Sequence, residues 1–481
     1  MATLEDFRNE RLRKLEELKQ LGVDTYPAQS ARDTDIARVV ADFAGLEGKN
    51  VVVAGRIMAI RSFGKMAFLK LRDYTGEVQI FWRDETTGLK LDQINLLDTG
   101  DFVEVTGEVG KTKTGEISVM ATNVKLLTKT LRPLPGRDGF TNKEERYRRR
   151  YVDLNVNLDV RERFVRKSNF WTATREFLNA NGFIEMDLPI LEKTTGGADA
   201  TPFVTHMEAL DQDFYLRISH ELPLKRLIGG GFERVYSIGA RFRNEGMDDE
   251  HLPEHVAMEW YAAYWDWERG MAFTEEMVRA IADKTWGRRV FELANGRTID
   301  LGEDGASYPR LSFVEVIRER FGIDVFDTTF DEVKGKLKEN GIKVEESDSI
   351  GRGIDKLWKK VRHEIVGPAF LVDIPVFLQP LAKRSAKDPR LTEQFNLLLD
   401  GTEACKAYSE LNDPLDQLER FNEQQALRDA GDDEAMMLDV DFVEMLEYGM
   451  PPTCGYGHSE RLFWLLEGVS AREGSLFPPM R

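Results

Sequence analysis

The stretch YSIGARFRNEGMDDEHLPEHVAMEWYAAY, residues 236–264, carries a high density of charge between two segments that can pair as strands. The charged residues of its central loop are Arg241, Arg243, Glu245, Asp248, Asp249, Glu250, His251, Glu254 and His255. Arginines at the start of such a loop can bind phosphate or carboxylate oxygens through two hydrogen bonds at once, and a nearby glutamate can accept from an amine or hold a metal ion. A surface patch of ion pairs is the competing interpretation, and this stretch alone does not decide between the two.

Other phosphate-binding motifs are missing from the sequence. It contains no G-x-x-x-x-G-K-[ST] segment, and no G-x-G-x-x-G pattern follows a predicted strand. If the chain binds a nucleotide, side-chain charge must hold it.

The residues before this loop predict a small helical extension and a β-barrel. Within the extension, residues 1–50, an amphipathic helix is expected over 3–21, because its leucines and Phe7 recur on one helical face. Residues 51–129 then change to strand character, with turns at SFGK and YTGE and a further strand pair over 101–127. Five strands in so short a segment predict a barrel of the oligonucleotide-binding (OB) type.

The predicted barrel has a candidate face for nucleic-acid bases. Aromatic rings at Phe63, Phe68 and Phe81, beside Gln79 and Arg61, can stack on single-stranded bases and hydrogen-bond to their edges. Alternating aromatics in a barrel are also common core residues, so the pattern leaves both interpretations open.

The rest of the chain predicts a second domain of a different kind. Prolines and glycines mark residues 130–142 as a linker, and residues 143–481 alternate helical patterns with strand-like segments that lack regular helical crossovers. The expected fold class is α+β: an N-terminal five-stranded OB barrel, followed by a mainly antiparallel sheet flanked by helices.

Composition limits the partners of the chain. The net charge of −18 argues against nucleic-acid binding by bulk charge, although basic residues concentrate at 8–19, 129–137 and 143–151. No apolar run is long enough to span a membrane, and the first residues are charged, so we expect a cytoplasmic protein without a membrane partner.

Several segments together resemble the class II aminoacyl-tRNA synthetases. RFRNEG with HLPEH and MEWYAAY is similar to their motif 2, CGYGHSERLFWLL (454–466) to motif 3, and GFIEMDLPIL (182–191), with Pro189, to the dimer-forming motif 1. Within that class the lysyl-tRNA synthetase family is the one resembled, on five further segments in order: TGGADATPFVTHMEALDQDFYLRISHELPLKRLIGGGFERVY, QPLAKR (379–384), AYSELNDPLDQ (407–417), AGDDEAMMLDVDFVEMLEYGMPPT (430–453) and the terminal LFPPMR.

The resemblance implies an enzyme that activates L-lysine with ATP and transfers the lysyl group to the 3′-end of lysine tRNA, as a homodimer. It implies that Arg243 and Arg461 are catalytic and bind ATP, and that Glu245, His251, His255 and Glu403 also bind ATP. The lysine-binding residues that it implies are Gly197, Glu221, Glu259, Tyr261, Lys406 and Glu410. On the barrel it implies anticodon binding by Arg61, Phe68 and Gln79, with Glu116 assisting.

The sequence departs from the family pattern at several of these positions. Mg²⁺ is the implied cofactor, but where the family has two glutamates this chain has Asn396 and Glu403, of which Glu403 is the better ligand for a hard cation. Lys406 replaces a common asparagine, and His255 stands where a phenylalanine usually stacks on adenine. Motif 3 is one residue shorter than usual, with His458 and Ser459 before its arginine.

Three alternatives remain at this point. An aspartyl- or asparaginyl-type synthetase is disfavoured because the segment AYSELND carries a glutamate, Glu410, where an aspartate-specific relative needs an arginine. A protein-lysylating paralogue would lack the predicted barrel. A non-catalytic tRNA-binding or amino-acid-sensing relative is disfavoured because Arg243 and Arg461 are both present.

Overall fold

A computed structural model describes residues 3–83, 86–136, 139–345, 348–429, 431 and 435–480. The chain divides into two compact units, Met1–Asn157 and Leu158–Arg481. Parts of three predicted segments lie outside the described residues: 137 and 138 in the linker, 430 and 432–434 in the segment 430–453, and Arg481 at the end of LFPPMR. The predicted domain boundaries at 50, 129 and 142 stay predictions; the helices over 143–156 belong to the first compact unit.

The first unit contains the predicted N-terminal helix and barrel. Its helices are α1 Leu4–Gln20, α2 Ile36–Ala41, α3 Phe43–Leu46, α4 Lys143–Arg148 and α5 Arg150–Val156. Its strands are β1 Asn50–Phe63, β2 Met66–Arg72, β3 Glu77–Arg83, β4 Thr87–Gly88, β5 Phe102–Lys111 and β6 Ile117–Thr128.

Helix α1 begins where its capping residues predict. The Thr3 side chain accepts from the Asp6 backbone N–H, and the Asp6 side chain accepts from the Thr3 backbone N–H, so a capping box satisfies the first turn. Leu15 and Leu18 are buried, whereas Leu4 and Phe7 at the start of the helix are exposed. The predicted apolar face is therefore buried only in its second half.

The barrel closes as the OB prediction requires. Its strands follow the order β3-β2-β1-β5-β6, and β3 also pairs with β6, which joins the two edges. Along β3 the side chains alternate, with Val78, Ile80 and Trp82 buried in the barrel and the residues between them facing outwards. A closed barrel leaves no long open edge among these five strands.

The second unit is built on one large sheet. Its helices are α6 Leu158–Ala180, α7 Glu221–Gly229, α8 Trp267–Trp286, α9 Phe313–Phe321, α10 Phe330–Glu339, α11 Ile350–Val361, α12 Pro414–Asp429, α13 Val440–Tyr448 and α14 Arg461–Glu467. Its strands are β7 Ile184–Glu185, β8 Leu191–Glu192, β9 Val204–Met207, β10 Gln212–Leu216, β11 Arg234–Phe242, β12 Glu254–Ala263, β13 Val290–Glu292, β14 Thr298–Asp300, β15 Arg310–Ser312, β16 Ala369–Val372, β17 Gln394–Leu399, β18 Thr402–Ser409 and β19 Thr453–Ser459.

Eight of these strands form the sheet, in the order β15-β16-β17-β18-β19-β12-β11-β7. Only the two outer pairs, β15–β16 and β7–β11, are parallel, so the predicted mainly antiparallel sheet is confirmed. Helices α6 and α8 pack with the sheet in the largest hydrophobic core, which contains Phe170, Trp260 and Met277. Among the described residues, no helix is both long and apolar enough to cross a membrane.

Candidate functional site

A cavity of about 570 Å³ in the second unit gathers every residue that the sequence assigns to ATP, lysine or metal binding. The sheet strands β11, β12, β17, β18 and β19 supply much of its lining. The assigned residues that line it are Gly197, Glu221, Arg243, Glu245, His251, His255, Glu259, Tyr261, Asn396, Glu403, Lys406, Glu410 and Arg461.

Strand parity explains why residues from different segments meet here. Side chains two positions apart on a strand point to one face, so Glu259 and Tyr261 on β12 share a face. Register across the sheet then aligns Glu259 with Gly457, and Gly457 with Lys406, on neighbouring strands. Hydrogen-bonded pairing of the backbone therefore brings together residues that are far apart in sequence.

Glu259 is the centre of the acidic end of the cavity. It accepts hydrogen bonds from the Ser219 hydroxyl (3.2 Å), the His220 backbone N–H (3.1 Å), the Tyr261 hydroxyl (3.2 Å) and Nη1 of Arg241 (3.2 Å). Burial alone would raise the pKa of this carboxyl, but His220 and Arg241 outweigh it and hold the pKa at about 2. Glu259 is therefore ionised at neutral pH although it is buried.

A buried lysine, Lys225, joins Glu221 and Glu410, the other two acidic residues at this end of the cavity. The Lys225 ammonium contacts Glu221 at 2.6 Å and also contacts Glu410, and the Tyr408 hydroxyl donates to Glu221 at 2.5 Å. Burial lowers the pKa of Lys225, but its two acidic neighbours outweigh that effect and raise it. Burial raises the pKa of Glu410 well above its usual value; its Oε2 contacts Lys225, whereas its Oε1 has no hydrogen-bond partner among the described residues.

Two glycines keep the acidic end open. Gly197 has φ +85°, and a Cβ there would lie 2.6 Å from the Ser219 hydroxyl oxygen. A Cβ at Gly455 would lie 2.0 Å from a Glu410 carboxylate oxygen and 2.4 Å from the Tyr261 ring. Any side chain at either position would displace the acidic residues.

The motif arginines lie near the start of β12, where the Arg243 N–H donates to the Pro253 carbonyl, whereas the Glu410 N–H donates to Thr453, which pairs with Ala263 at the other end of β12. Arg243 follows β11, and its Nε is buried without a hydrogen-bond partner among the described residues. Arg461 begins α14, directly after β19. Burial lowers the pKa of both guanidinium groups. Because removing a charge from water is costly, two half-buried cations facing one cavity indicate an anionic ligand.

Arg241 and His255 connect the two ends. Arg241 donates from Nε to Nε2 of His255 at 3.1 Å, and Nδ1 of His255 lies 3.1 Å from the Leu252 carbonyl oxygen. Burial and the neighbouring arginines lower the pKa of His255 to about 2, so the ring is neutral, with its proton on Nδ1. Burial also lowers the pKa of Arg241 to about 9, which leaves it charged at neutral pH.

The loop after β11 places two further predicted ATP-binding residues at the cavity rim. Glu245 is exposed there, and its backbone N–H donates to the Arg243 carbonyl at 2.8 Å. His251 is also exposed, with its Nδ1 2.8 Å from a carboxylate oxygen of Asp248. Both side chains are available to a ligand that extends out of the cavity.

Asn396 and Glu403, the two predicted metal ligands, do not form a site that fits Mg²⁺ when no nucleotide is bound. The Asn396 amide nitrogen donates to Glu403 at 3.0 Å, while its amide oxygen accepts from Gln394 at 3.0 Å. The other Glu403 oxygen accepts from the Trp358 indole N–H at 2.6 Å. Across the described ranges, no group of three or more histidine, cysteine or acidic side chains is placed to hold a metal ion. Magnesium prefers several oxygen ligands, and here one carboxylate is offered, already hydrogen-bonded at both oxygens.

In the first unit, a groove of about 1010 Å³ contains the predicted base-binding residues of the barrel. The Phe68 ring lies 5.1 Å from the Phe81 ring and 6.3 Å from the Phe63 ring, measured between centroids. Gln79 donates to the Ser118 hydroxyl at 2.9 Å, and Arg61 is exposed beside Phe68, its cross-strand partner. These aromatics lie outside the barrel core, which contains Ala67 and Leu69 instead.

Some residues of the cavity network were not assigned a role from sequence. Lys225 lies one helical turn after Glu221, and Arg241 and Tyr408 lie two strand positions from Arg243 and Glu410, so local periodicity could have indicated all three. Trp358 gives no such signal, because it belongs to α11 and reaches Glu403 only through tertiary packing.

Comparison with known proteins adds independent information. The family model described as tRNA synthetases class II (D, K and N) matches residues 142–481, and an OB-fold nucleic acid binding domain model matches residues 51–127. Proteins named Lysine–tRNA ligase from Thermosipho melanesiensis and Enterococcus faecalis are 42% and 41% identical to this chain. These matches cover 99% and 100% of this chain, and 96% and 99% of the respective relatives. A protein of the same name from Pelotomaculum thermopropionicum is 43% identical over 99% of this chain and 95% of its own length.

The outward position of Phe68 predicts a contrast in stability with its inward neighbour. Leu69→Ala should destabilise the barrel by about 2–5 kcal/mol, because it leaves a cavity in the core. Phe68→Ala should cost about 1 kcal/mol or less, because its ring is part of an open groove. Hydrogen exchange of peptides from β1 to β5, followed by mass spectrometry, measures both. An equal loss of protection in the two variants would place Phe68 in the core.

Proposed function

The chain belongs to the lysine–tRNA ligase family of class II tRNA synthetases, and we propose that it activates L-lysine with ATP and transfers the lysyl group to the 3′-end of lysine tRNA. The observation that carries this proposal is the polarity of one cavity. Buried carboxylates line one end, and Arg461 lines the other with Arg243, whose Nε has no hydrogen-bond partner in the part of the chain that the structure describes. A ligand that carries an ammonium group at one end and a phosphate group at the other matches both ends of the cavity.

The proposed first reaction forms lysyl-adenylate. A lysine carboxylate oxygen attacks the α-phosphorus of ATP, the bond from that phosphorus to the bridging oxygen breaks, and pyrophosphate leaves with the electron pair. No proton transfer is needed, so the chain must position the two anions and stabilise charge on the phosphate oxygens. In the second reaction, a hydroxyl oxygen of the terminal tRNA ribose attacks the lysyl carbonyl carbon, the bond from that carbon to the AMP oxygen breaks, AMP leaves with the electron pair, and the hydroxyl proton passes to the departing phosphate or to solvent.

At the arginine end of the cavity, the proposed roles are those that the family resemblance implies. Arg243 bridges the lysine carboxylate and the α-phosphate, and Arg461 binds the γ-phosphate. His251 and Glu245, at the exposed rim, contact the phosphate tail and the adenine amine. The neutral His255 ring stacks on adenine. Mg²⁺ enters as the counter-ion of ATP, where it neutralises phosphate charge; no step requires a cation held by Asn396 and Glu403.

The proposed lysine subsite lies at the acidic end. Glu259, Glu410 and Tyr261 bind the ε-ammonium, and Glu221 binds the α-ammonium. Gly197 leaves room for the substrate backbone, and Lys406 lies near its carboxylate. A buried ammonium needs carboxylate partners, which this subsite supplies, whereas an aspartate side chain would meet like charge.

The barrel, the dimer interface and the cellular location complete the proposed function. The barrel groove binds the anticodon of lysine tRNA through Phe68, Gln79 and Arg61, because splayed bases need a stacking plane and hydrogen-bonding edges. Motif 1 around Pro189 forms the interface of a homodimer, and the enzyme works in the cytoplasm.

Replacing Arg243 or Arg461 with alanine should abolish lysine-dependent exchange of pyrophosphate into ATP. Loss of one group aimed at developing negative charge costs about 10²-fold or more in rate. Arg318→Ala is the matched control, because this arginine forms an ion pair with Glu315 on the exposed surface of α9. Near-normal exchange by the folded Arg243→Ala enzyme would contradict the proposed role.

Phe68→Ala and Gln79→Ala should each raise the KM for lysine tRNA by roughly tenfold to a hundredfold, because stacking contributes about 1 to 3 kcal/mol per base. Aminoacylation kinetics with a transcribed tRNA measure this effect. Lysine activation without tRNA serves as the control and should stay unchanged. Normal charging by both variants would place the anticodon contact elsewhere on the barrel.

A further inference from the structure

We propose that the β17–β18 strand pair holds no divalent cation of its own, and that the Lys406 ammonium supplies the fixed positive charge at this place in the cavity. This inference rests on the proposed function, since it concerns how the phosphates of ATP are neutralised. Asn396 and Glu403 do not offer the oxygen ligands that a resident Mg²⁺ needs, and this observation is the starting point.

The first argument is the hydrogen bonding of Asn396. Its amide nitrogen, a donor, points to Glu403, and its amide oxygen accepts from Gln394. Asn396 and Gln394 are both buried, so the two amides are locked side by side. Turning the Asn396 oxygen toward a cation would break its hydrogen bond to Glu403 and would require the buried Gln394 amide to turn as well, which is costly.

The second argument is that Trp358 and Arg362 already contact the Glu403 carboxylate. Trp358 on α11 donates to one carboxylate oxygen, and Nη1 of Arg362, just after that helix, lies 3.9 Å from the same oxygen. The Arg362 side chain is 12% exposed, so its charge is screened less by water than that of a surface arginine. Glu403 therefore offers little uncompensated negative charge to a metal ion.

The third argument is the position of Lys406. It pairs directly with Asn396 across β17 and β18, and it lines the cavity. Directly opposed residues have Cβ atoms about 5 Å apart, so an ammonium and a divalent cation here would repel each other strongly. Among the described residues, Lys406 has no ion-pair partner; its Nζ lies 5.9 Å from the Tyr408 ring centroid. A cation facing the cavity in this way is available to anionic oxygens of a ligand.

The arrangement has a consequence for magnesium dependence. If Lys406 supplies this charge, the ion that accompanies ATP suffices, and lysine activation should saturate when Mg²⁺ is about equimolar with ATP. An enzyme with a resident cation between two acidic side chains would require free Mg²⁺ beyond that amount.

Binding of Mn²⁺ without nucleotide, counted by electron paramagnetic resonance, tests the proposal independently of activity. The unmodified chain and Glu403→Gln should bind equal numbers of ions, whereas the double variant Asn396→Glu with Lys406→Gln should bind one more. The added carboxylate would lie next to Glu403, and two such groups favour a bridging cation. One ion lost on Glu403→Gln, or none gained by the double variant, would overturn the proposal.

Pyrophosphate exchange as a function of Mg²⁺ gives the second test. Lys406→Gln should lower exchange at least about tenfold at Mg²⁺ equimolar with ATP, with partial recovery in excess Mg²⁺. Lys338→Gln on the surface of α10 is the matched control and should leave the profile unchanged. An unaltered profile in Lys406→Gln would contradict the proposal. Absence of lysine-dependent exchange in the unmodified enzyme would instead contradict the proposed function, and the Mn²⁺ count would still decide the metal question.

Discussion

Charge buried in the second unit must be balanced, and this requirement shapes the cavity more than any other interaction. Glu221, Glu259 and Glu410 are buried together, and the chain provides two cations for them, Lys225 and Arg241. An isolated buried ion is costly, so each of these contacts offsets part of the cost of burying a charge. Three carboxylates and two cations leave one carboxylate in excess at this end, and burial raises the pKa of Glu410. One further ammonium would complete the balance, and the proposed substrate brings one.

Pairing of the sheet strands in a fixed register brings these charged residues together. Each acidic residue belongs to a different segment, with Glu221 on α7, Glu259 on β12 and Glu410 just after β18. The same sheet presents Arg243 and Arg461 at the ends of β11 and β19, so subsites of opposite charge share one rigid support. Small errors of position are costly in catalysis, and hydrogen-bonded strands hold their side chains more firmly than loops do. The Lys406–Asn396 pair extends this pattern, since strand register places the lysine directly opposite a predicted metal ligand.

Local patterns predicted the fold class, whereas the residues of the cavity were predicted from the family resemblance. Alternating burial on β3 and the turns at 64 and 74 have clear signals in residue type, and the closed barrel is confirmed. The contacts within the cavity were harder to foresee. Nothing local to Glu403 indicates that Trp358 on α11 and Arg362, just after that helix, lie against it. In the structure the predicted metal pair is an amide and a carboxylate that hydrogen-bond to each other. The division of the chain after Asn157 also depends on packing, which places α4 and α5 in the first unit.

The central claim is that the acidic end of the cavity is completed by one substrate ammonium. Amino-acid-dependent exchange of pyrophosphate into ATP tests it most directly, with each of the twenty amino acids offered in turn and with norleucine, which has an apolar side chain without the ε-ammonium. The account predicts exchange with lysine and, because a buried carboxylate would be left without its partner, a rate with norleucine lower by at least about 10²-fold. Comparable exchange with norleucine, or a preference for any other amino acid, would contradict it.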